Sequence, residues 1–289
     1  MIENIPAIPS VLMASLVWTA ATQIFARMGK RINITRLNFF KTLISLAFFL
    51  LFNLLFGTFK VEAPALSWLF ASGVIGFGLA DLLIFYSFAQ MGAARTLMIS
   101  AFSPLLLAIQ SYLFLGISMN MSQLFGLICM FLCIFFLSLD KLDGVNFNWK
   151  ISFFALIGYA LDAMGVTFTK KAFLLSPELT SATANMYRII AALLILFVVA
   201  KFKKVSITDN RFTRRDYSLL VLSSFLGTFL SVLFWVNAIS KGHPPTIAAL
   251  GSLSPVYATI IEYWLIRRTP SRYFILALMS MGGGIYFLL

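Results

Sequence analysis

Ten runs of mostly apolar residues follow one another along the chain, at roughly 8–28, 37–57, 65–90, 94–115, 119–138, 150–171, 180–201, 217–240, 244–266 and 271–289. A helix needs about 20 such residues to cross the hydrocarbon core of a bilayer. Only helices and closed barrels satisfy their own backbone there. A water-soluble fold is excluded: 11% of the residues are charged, where a soluble domain carries about a quarter. The expected fold is an all-α integral membrane protein with ten transmembrane helices. The linkers are short except for 201–216, and nothing is left over for a soluble domain.

The formal charge of +12 would suggest nucleic acid in a soluble chain. Here the basic residues fall between apolar runs and obey the positive-inside rule instead. Of 22 Lys and Arg, 17 belong to the linkers after runs 1, 3, 5, 7 and 9 with their flanks, and 5 to the other side (Lys60, Lys170, Lys171, Arg188 and Lys241). This places the odd-numbered linkers in the cytoplasm and both termini outside. Lys30, Arg31 and the 201–215 cluster read as a solvated face on anionic lipid. Met1 to Ser10 lacks the basic n-region of a signal peptide. Cys129 and Cys133, one turn apart, read as packing residues, and His243 is the sole histidine. Neither a metal site nor a cofactor is expected, and no nucleic-acid partner.

The two halves of the chain resemble each other. Ile99-Ser100-Ala101-Phe102-Ser103-Pro104-Leu105 and Leu250-Gly251-Ser252-Leu253-Ser254-Pro255-Val256 each set Ser-Pro inside an apolar run, with Ser103 and Ser254 151 positions apart. Leu127 to Leu137 repeats in Leu278 to Leu288 at the same offset. Asn38-Phe39-Phe40-Lys41 resembles Asn185-Met186-Tyr187-Arg188 at an offset of 147. Five spans per half is an odd number, so the halves insert upside down to each other. Such inverted repeats build many secondary transporters, with the substrate site near the bilayer midplane. The division falls at 1–145 and 146–289.

In this order and duplicated, several features resemble the drug/metabolite transporter superfamily, and within it the EamA-like ten-span transporters. They are an aromatic in spans 1 and 6 (Trp18, Tyr159) with a basic residue ending them (Arg27, Lys170), and a basic residue early in spans 2 and 7 (Lys41, Arg188). The others are Gly-rich spans 3 and 8 (Gly73, Gly76, Gly78; Gly227), Ser-Pro in spans 4 and 9, and Gly282-Gly283-Gly284 in the last span. The resemblance covers nearly the whole chain. It implies alternating access, a cavity walled by spans 1, 3, 4, 6, 8 and 9, and peripheral spans 5 and 10. Two features depart from the family. The Leu-Gly-Glu-like ending of spans 4 and 9 is replaced by Leu115-Gly116-Ile117 and by Arg267-Arg268. The family's termini also usually lie in the cytoplasm, the reverse of the charge count.

Ionisable residues inside a bilayer are costly and face a cavity or a partner. Asp81 and Asp162 lie within spans 3 and 6. Each is either a proton carrier or amine ligand, or a structural partner of Lys41, Arg188 or a hydroxyl. Glu262 reads as an interfacial ion pair with Arg267 or Arg268. Arg188, two turns into span 7, is either a structural cation or a bidentate ligand for a substrate carboxylate. Uncharged candidates for the pathway are Trp18, Thr22, Gln23, Tyr86, Ser103, Tyr159, Asn185, Asn237 and Ser254.

The function expected is secondary active transport of a small polar metabolite, amino-acid-like or amine, with Asp81 and Asp162 as candidates for proton coupling. The alternative is a translocator of a lipid-linked or phosphate-bearing substrate. A membrane enzyme is disfavoured by the single histidine and the lack of paired acids, and nucleotide-driven transport by the lack of a P-loop. The expected partners are the substrate and the lipid bilayer, the state is monomer or homodimer, and the location is a bacterial inner membrane. A C-terminal fusion tests the orientation: a periplasmically active enzyme is expected to work there, and a cytoplasm-only fluorescent protein to stay dark. Fluorescence would reverse the topology.

Overall fold

A computed structural model describes residues 2–139, 148–205, 212–254, 256–257, 260 and 271–288. Each of the ten expected runs carries helix among these residues. The helices are α1 (Ala7–Gly29), α2 (Ile34–Phe56), α3 (Ala63–Met91), α4 (93–115), α5 (Met121–Leu139), α6 (Trp149–Leu175), α7 (Ser181–Phe202), α8 (Arg214–Lys241), α9 (Pro244–Gly251 in its described first half) and α10 (Arg272–Leu288). Seven of them, α1–α4 and α6–α8, are long and apolar enough to cross a membrane. Pro255, Glu262, Arg267 and Arg268 lie outside the described residues.

Local chemistry sets where the helices begin. Asn33 accepts from the backbone N–H groups of Thr35 and Arg36 at 3.0 and 3.4 Å, and Asn148 does the same for Lys150 and Ile151. Thr180 caps α7, and Thr213 with Asp216 forms a reciprocal capping box on α8. Such caps satisfy amides that the first turn leaves open.

Two helices depart from α geometry, and they do so in register. In α3 the stretch Gly73–Ala80 is π-helical, and in α8 the stretch Ser224–Ser231 is. Both are 8 residues long, and they begin 151 positions apart, the offset of the Ser-Pro pair. π segments widen the turn and occur mostly at functional sites. Their alignment pairs Asp81 with Val232, so the acid is present in one half only.

The packing obeys a two-fold exchange of the halves. α1 packs on α8 as α6 packs on α3, α2 packs on the π stretch of α8 as α7 packs on that of α3, and α9 packs on α1 as α4 packs on α6. The pairs α2–α7, α4–α9 and α5–α10 cross between halves. This is the contact pattern of an all-α membrane protein built from two inverted five-helix repeats. α5 and α10 pack chiefly on each other, through Cys133, Phe274 and Ala277, and form a side layer. At one end of the bundle Phe25, Met28, Phe88, Met91, Phe212 and Leu220 form a dense apolar plug. Lys30, Arg31, Lys203, Lys204, Arg214 and Arg215 lie at that end, called here the basic end.

The closest helix crossing is made by glycine. A Cβ on Gly73 would stand 2.0 Å from the backbone carbonyl oxygen of Arg188, so α3 rests directly on the backbone of α7. Gly73→Ala is expected to cost about 1–3 kcal/mol by overpacking and to lower the melting temperature in detergent by several degrees. Gly282→Ala, where a Cβ meets nothing within 4 Å, is the control and should melt at or above wild type. Equal melting of the two variants would contradict the crossing.

Candidate functional site

The π stretches of α3 and α8 leave room between the halves, and that room is a central cavity. It is lined from both halves, by α1 (Ala14, Ser15, Trp18), α2 (Lys41), α3 (Phe77, Asp81, Ile84), α4 (Leu97, Ser100, Ser103), α6 (Tyr159, Asp162), α7 (Arg188), α8 (Thr228, Ser231, Val232, Trp235) and α9 (Ala248, Gly251, Ser252, Ser254). The cavity has a volume of about 140 Å³, smaller than the pocket of a drug-sized ligand and suited to a small solute.

Four charged side chains meet there, two cations and two acids. Lys41, 1% exposed, donates from Nζ to Asp81 in a buried ion pair, and its ammonium sits 4.0 Å from the centroid of the Phe85 ring. Asp81 is the first residue after the π stretch of α3, so the irregular turn sets its position. Arg188 donates from Nε to Ser72 Oγ and from Nη1 to Asn185 Oδ1, both at 2.9 Å, with its guanidinium 4.4 Å from the centroid of Phe77. Ser72 in turn donates to the Gly165 carbonyl at 2.6 Å. The guanidinium is thereby fixed in orientation by α3, α6 and its own helix.

Asp162 differs from the other three. Among the described residues its carboxylate makes no hydrogen bond or ion pair, although the charges of Asp81, Arg188 and Lys41 act on it. Arg188 Nη2 and Asp162 Oδ1 both lie within 4.0 Å of the place a Cβ on Gly76 would take. The bare Gly76 therefore leaves free space between a cation and an unpaired acid. The hydroxyl of Thr228, on the cavity wall, is buried without a hydrogen-bond partner among the described residues, and that of Tyr159 has the Ser100 hydroxyl as its neighbour. Trp18 packs against Phe85 and Phe88 at centroid distances of 6.4 and 6.5 Å, closing the cavity toward the basic end. Trp235 forms another wall, with its ring in the space Gly251 leaves.

Of the residues the sequence singles out, Trp18, Asp81, Ser103, Tyr159, Asp162, Arg188 and Ser254 line this one cavity. Ser254 also donates to the Ser15 carbonyl of α1 at 3.3 Å. The others lie elsewhere. Tyr86 is 40% exposed and packs edge-on against Phe154, on the outside of the bundle. Gln23 is half-buried on α1, away from the cavity, and the Thr22 hydroxyl is used by the Thr19 carbonyl. Asn185 stands behind the wall, where it orients Arg188 and donates to the Val232 carbonyl. Asn237 anchors the N-terminal segment, donating to the Ile5 carbonyl and to Ser10 Oγ. Lys170, near the end of α6, donates to the carbonyls of Ile239, Ser240 and Gly242 and so caps α8.

Sequence reasoning passed over Lys41 as a cavity residue, along with Phe77, Trp235, Thr228 and Ser231. Lys41 lies only two turns into α2 and reads as part of the basic flank. Its complete burial and its pairing with Asp81 place it in the centre. Removing Lys41 and Arg188 from the linker count takes one charge from each side and leaves the asymmetry intact.

Ten helices in inverted halves around a charged central cavity define the architecture of a membrane transporter. The EamA-like transporter family matches residues 5–139 and again residues 149–289, so the chain belongs to that family, one of membrane transporters and not of enzymes. A solved crystal structure superposes with a TM-score of 0.75 over 97% of this chain and 95% of its own, at 15% identity; the likeness is one of fold. No curated protein matches the sequence.

Lys41→Met leaves the Asp81 carboxylate buried without its partner and is expected to cost about 3–5 kcal/mol. The Lys41→Met/Asp81→Leu double variant should recover most of that loss, since no charge is then left unpaired. Unfolding in detergent compares the two. A double variant less stable than the single would contradict the pairing.

Proposed function

We propose that this chain is a secondary active transporter of a small polar metabolite that carries an amine, amino-acid-like in its charges, moved across a bacterial inner membrane by alternating access. The observation that supports this most directly is the separation of charge in the cavity. Lys41 and Asp81 satisfy each other, whereas Arg188 offers a fixed guanidinium edge and Asp162 a carboxylate with no partner. A zwitterion presents the complementary pair, a carboxylate for the Arg188 fork and an ammonium for Asp162. Trp18, Tyr159 and Trp235 would face its apolar part. A lipid-linked or phosphate-bearing substrate fits less well, because two acids share the cavity and would repel a phosphate.

In this mechanism binding closes the charge gap between Arg188 on α7 and Asp162 on α6, both in the second half, while α1, α3 and α4 line the same cavity from the first half. A group that is expensive to hold unpaired in low dielectric gains most from a ligand that pairs it. Rocking of the halves about the bound solute would then expose it to the other side. Asp162, and Asp81 when released by Lys41, are the candidates for carrying a coupled proton. The inner-membrane location, the outside termini and the division at 145/146 belong to this reading.

Counterflow of radiolabelled L-amino acids in proteoliposomes tests it. At least one is expected to exchange in wild type. Asp162→Asn should weaken its binding about 10–100-fold, the scale of one lost hydrogen bond between charged groups. Arg188→Lys should do the same by removing the planar fork. Exchange of phosphate esters in place of amino acids, or an Asp162→Asn protein with wild-type affinity, would contradict the proposal.

A further inference from the structure

Outside the cavity, one strip of the interior is unusually polar. Among the described residues nine buried side-chain polar atoms lack a hydrogen-bond partner, and five of them lie on two helices packed against each other: Asn237 Oδ1 at the far end of α8, and four that form the strip, Asn38 Oδ1 and Thr42 Oγ1 on α2 with Ser224 Oγ and Thr228 Oγ1 on α8. All four residues are 0 or 1% exposed. On α2 Ser45 continues the row at helical spacing, 38, 42 and 45; on α8 the hydroxyls fall in the π stretch, and Ser231 ends it at the cavity, donating to the Ala14 carbonyl of α1. The registers are tied together where Ser45 Oγ, which donates to the Lys41 carbonyl at 2.8 Å, also lies 3.4 Å from the Ser224 carbonyl.

Both helices begin at the basic end, α2 at Ile34 and α8 at Arg214. The strip therefore runs from the level of Asn38, one turn inside that end, to Thr228, Ser231 and Lys41 on the cavity wall. It bypasses the apolar plug of Phe25, Met28, Phe88 and Met91. Its mate under the two-fold exchange is Gly73 and Phe77 on α3 with Asn185, Ile189 and Ala192 on α7. That set is apolar except for Asn185, which is fully used by Arg188 and the Val232 carbonyl. The strip is thus not a by-product of the repeat.

Buried hydroxyls and amides in folded proteins are satisfied, and where protein groups do not suffice, internal water does it. We propose that α2 and α8 enclose a file of internal water molecules that conducts protons between the basic end and the Lys41–Asp81 pair, separate from the path of the substrate. The charged groups around the inner end of the file are Asp162 from α6 and Arg188 from α7. At its outer end stand Asp216 in the first turn of α8 and Arg31, which pair with each other. The file gives the pair a way to exchange protons with one side only, which is what coupling requires. Its purpose rests on the transporter reading, but its existence does not.

Two measurements on the intact protein test it without any substrate. Thr42→Val and Thr228→Val remove one hydroxyl at constant shape. If the strip is hydrated, each lowers the melting temperature by about 2–4 °C; if it is dry, removing an unsatisfied group leaves the temperature unchanged or raises it, which overturns the proposal. After a switch to D₂O, infrared spectroscopy follows exchange at the Lys41–Asp81 pair, with the Asp81 band assigned by its shift in Asp81→Glu. Exchange is expected to slow at least tenfold in Thr42→Val/Ser224→Ala, and exchange as fast as wild type would overturn the proposal. A wild-type protein that exchanges no amino acid would remove the substrate reading and leave both of these results standing.

Discussion

The structure depends on holding four charges inside a bilayer. A lone ion there is costly, and pairing is what makes it tolerable. Lys41 and Asp81 meet between α2 and α3, with the ring of Phe85 against the ammonium. Arg188 is held by Ser72 and Asn185. Lys41 and Asp81 thus neutralise each other, Arg188 is oriented by neutral partners, and Asp162 is left to the cavity. The distinction between structural and functional charge in this chain is a distinction of partners, not of depth.

The placement of these groups follows from the irregular turns. A π stretch in α3 ends at Ala80 and delivers Asp81 to the cavity wall, and the matching stretch in α8 ends at Ser231 and delivers Val232. The backbone device is duplicated and the chemistry is not. An inverted repeat supplies two equivalent walls, and the symmetry breaks where one wall carries an acid and the other an apolar residue. Small residues serve the same geometry. Gly73 lets α3 lie on α7, and Gly76 keeps the space between Arg188 and Asp162 open.

Much of the fold was legible because the bilayer imposes a length. Each of the ten apolar runs carries helix, and the two halves could be aligned on Ser-Pro and on a basic residue early in spans 2 and 7. Seven of the twelve named pathway residues line one cavity, since a polar or aromatic side chain in mid-span has few other places to go. What stayed hidden was azimuth. Tyr86 lies five residues from Asp81 on the same helix, yet it faces outward. Asn237 is spent on tying down Ile5 and Ser10, a contact 232 positions away that no local pattern encodes. The π geometry was equally unreadable, because Gly-Val-Ile-Gly-Phe-Gly-Leu-Ala and Ser-Phe-Leu-Gly-Thr-Phe-Leu-Ser share only one Gly and one Leu at matching positions. Their common backbone comes from packing between halves.

The account stands on Arg188 and Asp162 as two ends of one binding site. The most direct measurement is a high-resolution structure of the protein in lipid nanodiscs equilibrated with an amino acid that it exchanges. The account predicts density for the solute spanning from the Arg188 guanidinium to the Asp162 carboxylate, with the Lys41–Asp81 pair intact. Solute density elsewhere, or Arg188 and Asp162 closed directly onto each other with the solute bound, would contradict it.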